Sequence, residues 1–314
     1  MDNTLPSLFL ERLKAILPRE CLDSCIESFS KEKPFSVRIN TLQTDKKTLI
    51  QILEKQKILF EEISWYKEAL VLKNISPKEL GQTQLVKEGF LYIQSLSSML
   101  PSLILAPQPG EYILDMCAAP GGKTTQMASL MQNRGFLLAV DKVKNRYYKL
   151  RSVIALLGAK MITAQLMDAR KLKPASRLFD KILVDAPCSS EGRFKVHGKK
   201  TFSYWKPRKI KEMAHKQKGL ILSAARLLKA GGVLVYSTCT FAPEENEEVI
   251  DWLIRKTDGA IEVVAIDLKG IRSYPSLLEW QGKRLNAEVS KCLRVLPDKT
   301  MEGFFMAKLR KKTH

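Results

Sequence analysis

A doubly wound parallel sheet preceded by a smaller α/β unit is the architecture these 314 residues predict. Three observations carry it. From about residue 95 onward, short apolar runs alternate with amphipathic helical stretches, the texture of a sheet covered on both faces. Before that point the strand-like runs are shorter and more polar. Chemically capable side chains also recur where the later apolar runs end, which is where doubly wound sheets bind their ligands.

The elements follow in order. Residues to about 32 read as helical, with Leu8, Phe9, Leu13, Ile16, Leu17, Leu22 and Ile26 apolar. PFSVRINTL (34–42) alternates as a strand does, and TDKKTLIQILEKQ (44–56) follows as a helix with Thr44 as its N-cap. ILFEEI, ALVLK and GFLYIQ are strand-like and complete a small domain over 1–94. In the larger domain, 95–314, the candidate strands are EYILD (111–115), GFLLAVD (135–141), KMITAQ (160–165), FDKILVD (179–185) and GVLVYST (232–238). A helix over Lys218–Lys229 runs into the stop at Gly231–Gly232. CLRVLP and GFFMAKL form an antiparallel pair that finishes the sheet.

Composition narrows the function. Hydrophobic residues make up 45% of the chain, enough for a large core. No apolar run approaches the roughly 20 residues that cross a bilayer. The charged N-terminus is unlike a secretory signal, and its acids are unlike a transit peptide. A soluble, cytoplasmic, monomeric protein without membrane contact is expected. Lys and Arg number 52 against 33 Asp and Glu, for a net charge of +19, so the partner expected is a polyanion, RNA above all. Cysteines at 21, 25, 117, 188, 239 and 292 lack zinc-type spacing, and three histidines are too few for a metal cluster. No metal is expected.

Asp115, Asp141, Asp168, Asp185 and Cys239 fall at or just past five successive strand ends. The loop DMCAAPGGKT (115–124) is built of small residues, Ala118, Ala119, Gly121 and Gly122, which let a ligand approach the backbone and the amides of the following helix. A phosphate-binding P-loop requires Gly five positions before Gly122, where Cys117 stands, and GxGxxG is absent. S-adenosylmethionine (SAM) has no pyrophosphate and does not need those glycines. Asp141, about 20 residues past the glycines, suits the ribose hydroxyls, and Asp168 the adenine amino group.

DAPCSS (185–190) places Cys188 where amine-directed methyltransferases often place a base-stacking aromatic. A second thiol stands in STCTFAPEENEEV (237–249). Carbon 5 of cytosine becomes nucleophilic only after a thiolate adds at carbon 6. Asp185 is suited to stabilise that adduct at N3. Two cysteines and an aspartate match those demands, whereas a lone cysteine would read as a small buried hydrophobe.

DMCAAPGGKT, DAPCSS and STCT followed by PEENEEV resemble the NOL1/NOP2/sun family of RNA cytosine-5 methyltransferases. SVRINTL, EGFLYIQSLSSML (88–100), LRVLP and EGFFMAKL extend the resemblance over most of the chain, in order. It implies a Rossmann-like class I methyltransferase sheet behind an RRM-like domain, with tRNA or rRNA as substrate. Cys239 would be the nucleophile and Cys188 would assist product release. SAM contacts are implied for Cys117, Ala118, Ala119, Pro120, Gly121, Gly122, Lys123, Asp141, Asp168 and Asp185. DNA cytosine methyltransferases attack from the proline–cysteine motif, so there the two thiols would exchange roles. Residues 254–291 match nothing in the family pattern.

GRFKVHGKKTFSYWKPRKIK (192–211) carries eight Lys or Arg and no acid, interleaved with Phe194, Phe202, Tyr204 and Trp205. Basic groups can follow phosphates while aromatic faces stack unpaired bases. Arg193, Lys195, Lys199, Lys200, Trp205, Lys206 and Arg208 are therefore expected to face RNA. Arg38 and Asn40 of the small domain either join them or are structural. Two other functions remain open at this point: an RNA-binding assembly factor without catalysis, and an amine-directed or DNA methyltransferase.

Overall fold

The computed structural model describes residues 5–174, 177–197 and 201–313. Two helices come first, α1 (Ser7–Ile16) and α2 (Arg19–Ser28), broken at Leu17–Pro18. Their apolar faces, with Phe9, Leu13, Cys21 and Cys25, do not pack on the small domain. They bury against Phe194, Phe241, Trp280 and Leu296 of the larger one. The hairpin thus lies within the 1–94 span in chain order but packs on the larger domain.

The small domain comprises β1 (Ser36–Ile39), α3 (Lys46–Lys55), β2 (Phe60–Glu62), β3 (Ala69–Leu72), α4 (Pro77–Gln82), α5 (Gln84–Lys87) and β4 (Leu91–Ile93). The N-cap of α3 is Asp45 rather than Thr44: the Thr48 amide donates to its carboxylate at 2.9 Å. A carboxylate is favoured there over a hydroxyl because it also meets the positive end of the helix dipole. The strands are antiparallel in the order β2-β3-β1-β4, an RRM-like β-α-β-β-α-β unit. Alternation divides its two faces. Val37, Ile39, Leu70, Leu72 and Leu91 meet Leu49, Leu53 and Leu80 of the helices. Ser36, Arg38, Ala69 and Val71 are equally buried, and Ala69 and Val71 pack in one cluster with Met127 and Met131 of the larger domain.

The larger domain opens with α6 (Leu96–Leu105) and continues through β5 (Tyr112–Asp115), α7 (Gly122–Leu130), β6 (Phe136–Asp141), α8 (Lys144–Leu156), β7 (Ile162–Leu166) and β8 (Phe179–Asp185). Then come α9 (Pro207–Leu227), β9 (Leu228–Thr238), α10 (Glu247–Lys256), β10 (Ile261–Val264) and β11 (Ser273–Pro275). The hairpin β12 (Glu279–Trp280) and β13 (Lys283–Arg284), then β14 (Leu293–Val295) and β15 (Phe304–Lys311), complete it. Strands β7-β6-β5-β8-β9 are parallel; β15 joins β9 antiparallel and carries β14 and β10 on its far side. This is the doubly wound, Rossmann-like sheet with its antiparallel finish.

Two boundaries differ from the sequence reading. Helix α9 starts at Pro207 rather than near Lys218, because Ile210, Met213, Ala214 and Gln217 continue the buried stripe beneath a lysine-rich surface. It ends at Leu227, where the chain passes directly into β9. Strand β7 is the sheet edge, so Thr163, Gln165 and Leu166 are exposed rather than covered. Residues 254–291, unplaced by sequence, supply β10 and a support for α1 and α2: Trp280 lies under Arg12 (5.2 Å) beside Tyr274 and Leu277. Among the described residues no helix is long and apolar enough to cross a membrane.

Candidate active site

Three parallel strands end in aspartates, Asp115 of β5, Asp141 of β6 and Asp185 of β8, and Cys239 follows β9. A cavity of about 430 Å³ opens at these ends, lined by Asp115, the 117–120 loop, Gly122, Lys123, Asp185 and Cys239. The wall facing them comes from Tyr92 and Gln94 beside β4 and from Glu302 and Phe304. Sequence reading missed that wall, since nothing in GFLYIQ announces which domain its strand will face.

The loop between β5 and α7 is kept narrow by its neighbours. Gly121 adopts φ +117°, and a Cβ there would sit 3.0 Å from Val153. A Cβ on Gly122 would sit 3.1 Å from the Tyr92 ring. The Ala119 amide donates to Asp141 at 3.3 Å, and the Val143 amide donates to the other Asp141 oxygen at 2.9 Å. Arg146 reaches across to the Ala119 carbonyl and to Asp141. Asp115 is fully buried; Thr124 donates to one oxygen at 2.8 Å and the other has no partner. Burial pushes this carboxyl up to about 7.

Neither Asp141, held behind the loop, nor Asp168 lines the cavity itself. Arg170 grips both Asp168 oxygens, and that hydrogen bonding holds its carboxyl down to about 2. Asp185 lies at the centre instead: Ser237 donates to one oxygen at 2.7 Å and Lys123 to the other at 2.7 Å. Lys123 is steadied in turn by Ser98 at 2.8 Å.

Cys188 and Cys239 stand with their Sγ atoms 3.3 Å apart, and the Ser190 hydroxyl lies 3.8 and 3.6 Å from them. Only Cys239 reaches the cavity wall. The pair is electrically unequal. Hydrogen bonding from Cys188 lowers Cys239, helped by the Arg193 guanidinium, whereas the same bond, burial and nearby Glu245 raise Cys188. Desolvation raises buried Cys25 and Cys292 and, in the cavity wall, half-buried Cys117, so all three stay thiols.

The loop carrying Cys188 is clamped from beneath by two residues that sequence reading did not single out. The Gln217 amide donates to the Pro187 carbonyl at 2.9 Å and to Glu245 at 2.8 Å, while Glu245 accepts the Ser189 amide at 3.0 Å. Burial raises the Glu245 carboxyl to about 8. Glu191 does similar service one turn on, accepting from Thr240, the Phe241 amide and the Trp205 indole. Both glutamates lie near DAPCSS and PEENEEV, but only their depth reveals the role.

The residues expected to face RNA divide. Arg193, Lys195, Lys206 and Arg208 are exposed. Lys199 and Lys200 lie outside the described residues. Trp205 is half-buried rather than open: its ring packs edge-on against Phe9 at 5.8 Å and its N–H is taken by Glu191, which ties it to the cluster under α1. Phe194 and Phe202 belong to the same cluster under α1, and Tyr204 alone is open, 92% exposed. Arg38 is corrected. It has no exposed surface and donates to Gln94 at 3.0 Å and Thr125 at 2.9 Å, with Gly122 and Ser129 further off at 3.4 Å. Asn40 is likewise buried, bonded to the carbonyls of Gly89 and Leu157. Among the described residues, no three His, Cys, Asp or Glu side chains gather as metal ligands.

A Rossmann-like sheet with a small-residue loop after its first parallel strand, and a ligand cavity beyond it, defines a methyltransferase class. More narrowly, the chain belongs to the RsmB/F (NOL1/NOP2/sun) methyltransferase family. The model described as 16S rRNA methyltransferase RsmB/F matches residues 102–310, and the N-terminal domain of 16S rRNA methyltransferase RsmF matches 5–96. A tRNA (cytosine(49)-C(5))-methyltransferase of Pyrococcus abyssi is 41% identical over 281 residues, covering 88% of each chain. Ribosomal RNA small subunit methyltransferase F of Shewanella piezotolerans is 35% identical over 310 residues; the match covers 96% of this chain and 63% of that one. A solved methyltransferase homolog from Pyrococcus horikoshii superposes with TM-score 0.84 at 34% identity, covering 98% of this chain and 96% of that one. NSun6 from the same organism, solved with SFG, gives 0.83 at 26% identity, covering 98% and 99%.

Proposed function

We propose that this protein methylates carbon 5 of a cytosine in tRNA or rRNA, with S-adenosylmethionine as donor and Cys239 as nucleophile. The observation that carries it is the thiol pair 3.3 Å apart of which only Cys239, beside Asp185, faces the cavity. Relatives named as tRNA and rRNA cytosine-C5 methyltransferases support the reaction, and both RNA classes occur among them.

The residues suit the cofactor. The cavity lies in the usual size range of small-ligand sites. Its floor is small side chains and a helix start, and its lining carries Asp115, Asp185 and Glu302 beside Lys123, Arg146 and Arg193, partners for the cationic and carboxylate ends of the donor. Residues 117–123, Asp141 and Asp185 would hold it, with Asp168 at the margin. A solved relative holding SFG, a SAM analogue, agrees. When bound, the cofactor supplies an electrophilic methyl group.

The chain's own residues do the rest. The Cys239 thiolate bonds to carbon 6, and the displaced electron pair is taken up through C4 and N3 as N3 gains a proton. Asp185, hydrogen-bonded to the Lys123 ammonium, relays that proton. Carbon 5 is then enamine-like and takes the methyl group. The carbon 5 hydrogen leaves as a proton to solvent, and Cys188, kept a thiol by its bond to Cys239 and by burial, assists release by hydrogen-bonding the departing Cys239 sulfur. The electrons of the C5–H bond re-form the C5–C6 double bond, N3 returns its proton and Cys239 leaves as thiolate.

The test is to mix the protein, SAM and cellular RNA, then run denaturing gels. Cys188→Ala accumulates a covalent protein–RNA adduct, and Cys239→Ala does not. Adduct from the Cys239 variant alone would reverse the two roles. No transfer of labelled methyl to any RNA by the wild type would leave an RNA-binding assembly factor. Bisulfite sequencing of RNA from cells with and without the protein identifies the cytosine.

A further inference from the structure

RRM-type modules bind RNA on the open face of their sheet. In this protein that face is closed. Ser36, Arg38, Ala69 and Val71 are buried against the larger domain, and Arg38 is tied to α7. Any contact the small domain makes with RNA therefore comes from its edges, tips or helices instead.

One edge borders a second cavity. This groove, of about 870 Å³, has twice the volume of the 430 Å³ catalytic cavity and shares Arg193 and Glu302 with it. Four separate parts of the chain line it: the linker 29–35 between α2 and β1, the tip of the small domain at 72–77, the loop after Cys188, and Glu302 before β15. Ser190, which stands beside both thiols, is in its wall. The wall carries Lys31, Lys33, Lys73, Arg193 and Lys195 against Glu32 and Glu302. Lys33 is committed to the Met301 carbonyl. Among the described residues Lys31 and Lys73 pair with the exposed Glu27 and Glu61, and such surface pairs contribute little and are readily exchanged.

We propose that this groove is the track for the single RNA strand flanking the target cytosine. The phosphates run past Lys31, Lys73 and Lys195, and the target base turns in at Arg193. The small domain then contributes a cationic tip rather than its sheet, and the linker 29–35 is part of the substrate surface. The charge selects a polyanion, and continuity with the thiol pocket selects the strand that carries the reacting base. This rests on the RNA methylation proposed above.

Lys73→Ala, Lys195→Ala and the double variant test it, with Lys256→Ala on α10 as a control outside the groove. Binding of a fluorescein-labelled single-stranded RNA oligonucleotide is followed against salt concentration. Each groove variant should lower the slope of log affinity against log salt by about 0.7 for every phosphate it leaves without its lysine. SAM affinity and the control's slope should stay at the wild-type value. Wild-type slope and affinity in the double variant would overturn the proposal, as would weakened binding to anionic phospholipid vesicles with RNA binding intact. Methyl transfer from labelled SAM to cellular RNA is measured in parallel. A wild type that transfers methyl while its groove variants bind normally refutes the groove alone. A wild type that transfers none, with variants whose slope falls, refutes the reaction alone.

Discussion

A thiol of ordinary acidity is mostly protonated at neutral pH, so the attack proposed for Cys239 depends on its neighbours. The Cys188 thiol stabilises the Cys239 thiolate most, then the Arg193 charge and the Ser190 hydroxyl. A lowered pKa keeps the thiolate populated further into the acid range; removing the donor raises it again. Cys188→Ala should therefore shift the pH midpoint of Cys239 alkylation upward and slow the reaction at neutral pH several-fold. Cys188→Ser, which retains a donor, should stay near the wild type. Peptide mass spectrometry after iodoacetamide at a series of pH values separates the two cysteines. An unmoved midpoint in the alanine variant, or preferential labelling of Cys188 in the wild type, would refute this polarity. In the adduct experiment the same substitution slows entry but blocks exit, so adduct still accumulates.

At the scale of elements, two loops meet over α9, tied by Gln217 of its buried stripe and by Glu245 of the second loop. Gln217 and Glu245 hold the backbone on either side of Cys188, and Ser189 bonds Thr240 at 2.7 Å. Gly192 lets the first loop lie against β15: its amide donates to the Cys239 carbonyl at 2.9 Å, and a Cβ would come 2.2 Å from the Gly303 carbonyl. Glu245 makes this junction sensitive to pH. Its carboxyl is raised from 4.5 to about 8, so the folded state binds a proton that the unfolded chain releases. The resulting stability is fully present below pH 4.5 and is lost as pH rises through about 8. Between about pH 6 and 9 the unfolding free energy, and with it the melting temperature, should fall, and Glu245→Gln should remove about 1–3 kcal/mol of that loss. Asp115 and Glu191, also raised, leave a residual slope. An identical slope in the variant, read by calorimetry across that range, would remove Glu245 as the cause. Much at this scale was legible in advance. Strand ends marked by Asp115, Asp141, Asp185 and Cys239 could be read because apolar runs and their polar stops are local signals. Gln217, Tyr92 and Gln94 could not, because their importance comes from partners far away in the chain. Trp205 misled for the same reason: an aromatic among lysines looks like a stacking platform until α1 is seen to pack against it.

At the scale of the whole molecule, Arg38 joins the two domains. It lies on the sheet face turned towards the larger domain, and its guanidinium spans Gln94 on one side and Thr125 of α7 on the other. Its Cζ also stands 5.9 Å from the Tyr92 ring, so it backs the wall that Tyr92 and Gln94 give to the catalytic cavity. Replacing it by methionine keeps the bulk but leaves buried acceptors unpaired, a loss of about 3 kcal/mol. That loss should lower the melting temperature and, by loosening the Tyr92–Gln94 wall, weaken SAM binding. The salt dependence of RNA binding should not change, because the side chain has no surface from which to meet a phosphate. An arginine that contacts RNA would give the opposite result: an unchanged melting temperature, unchanged SAM affinity and a shallower salt slope. Calorimetry, SAM titration and RNA titration on the one variant Arg38→Met therefore decide between a strut and a contact. The strut accounts for why an RRM-like sheet can be retained here with its usual binding face closed: the face that could bind RNA instead forms one wall of the reaction chamber.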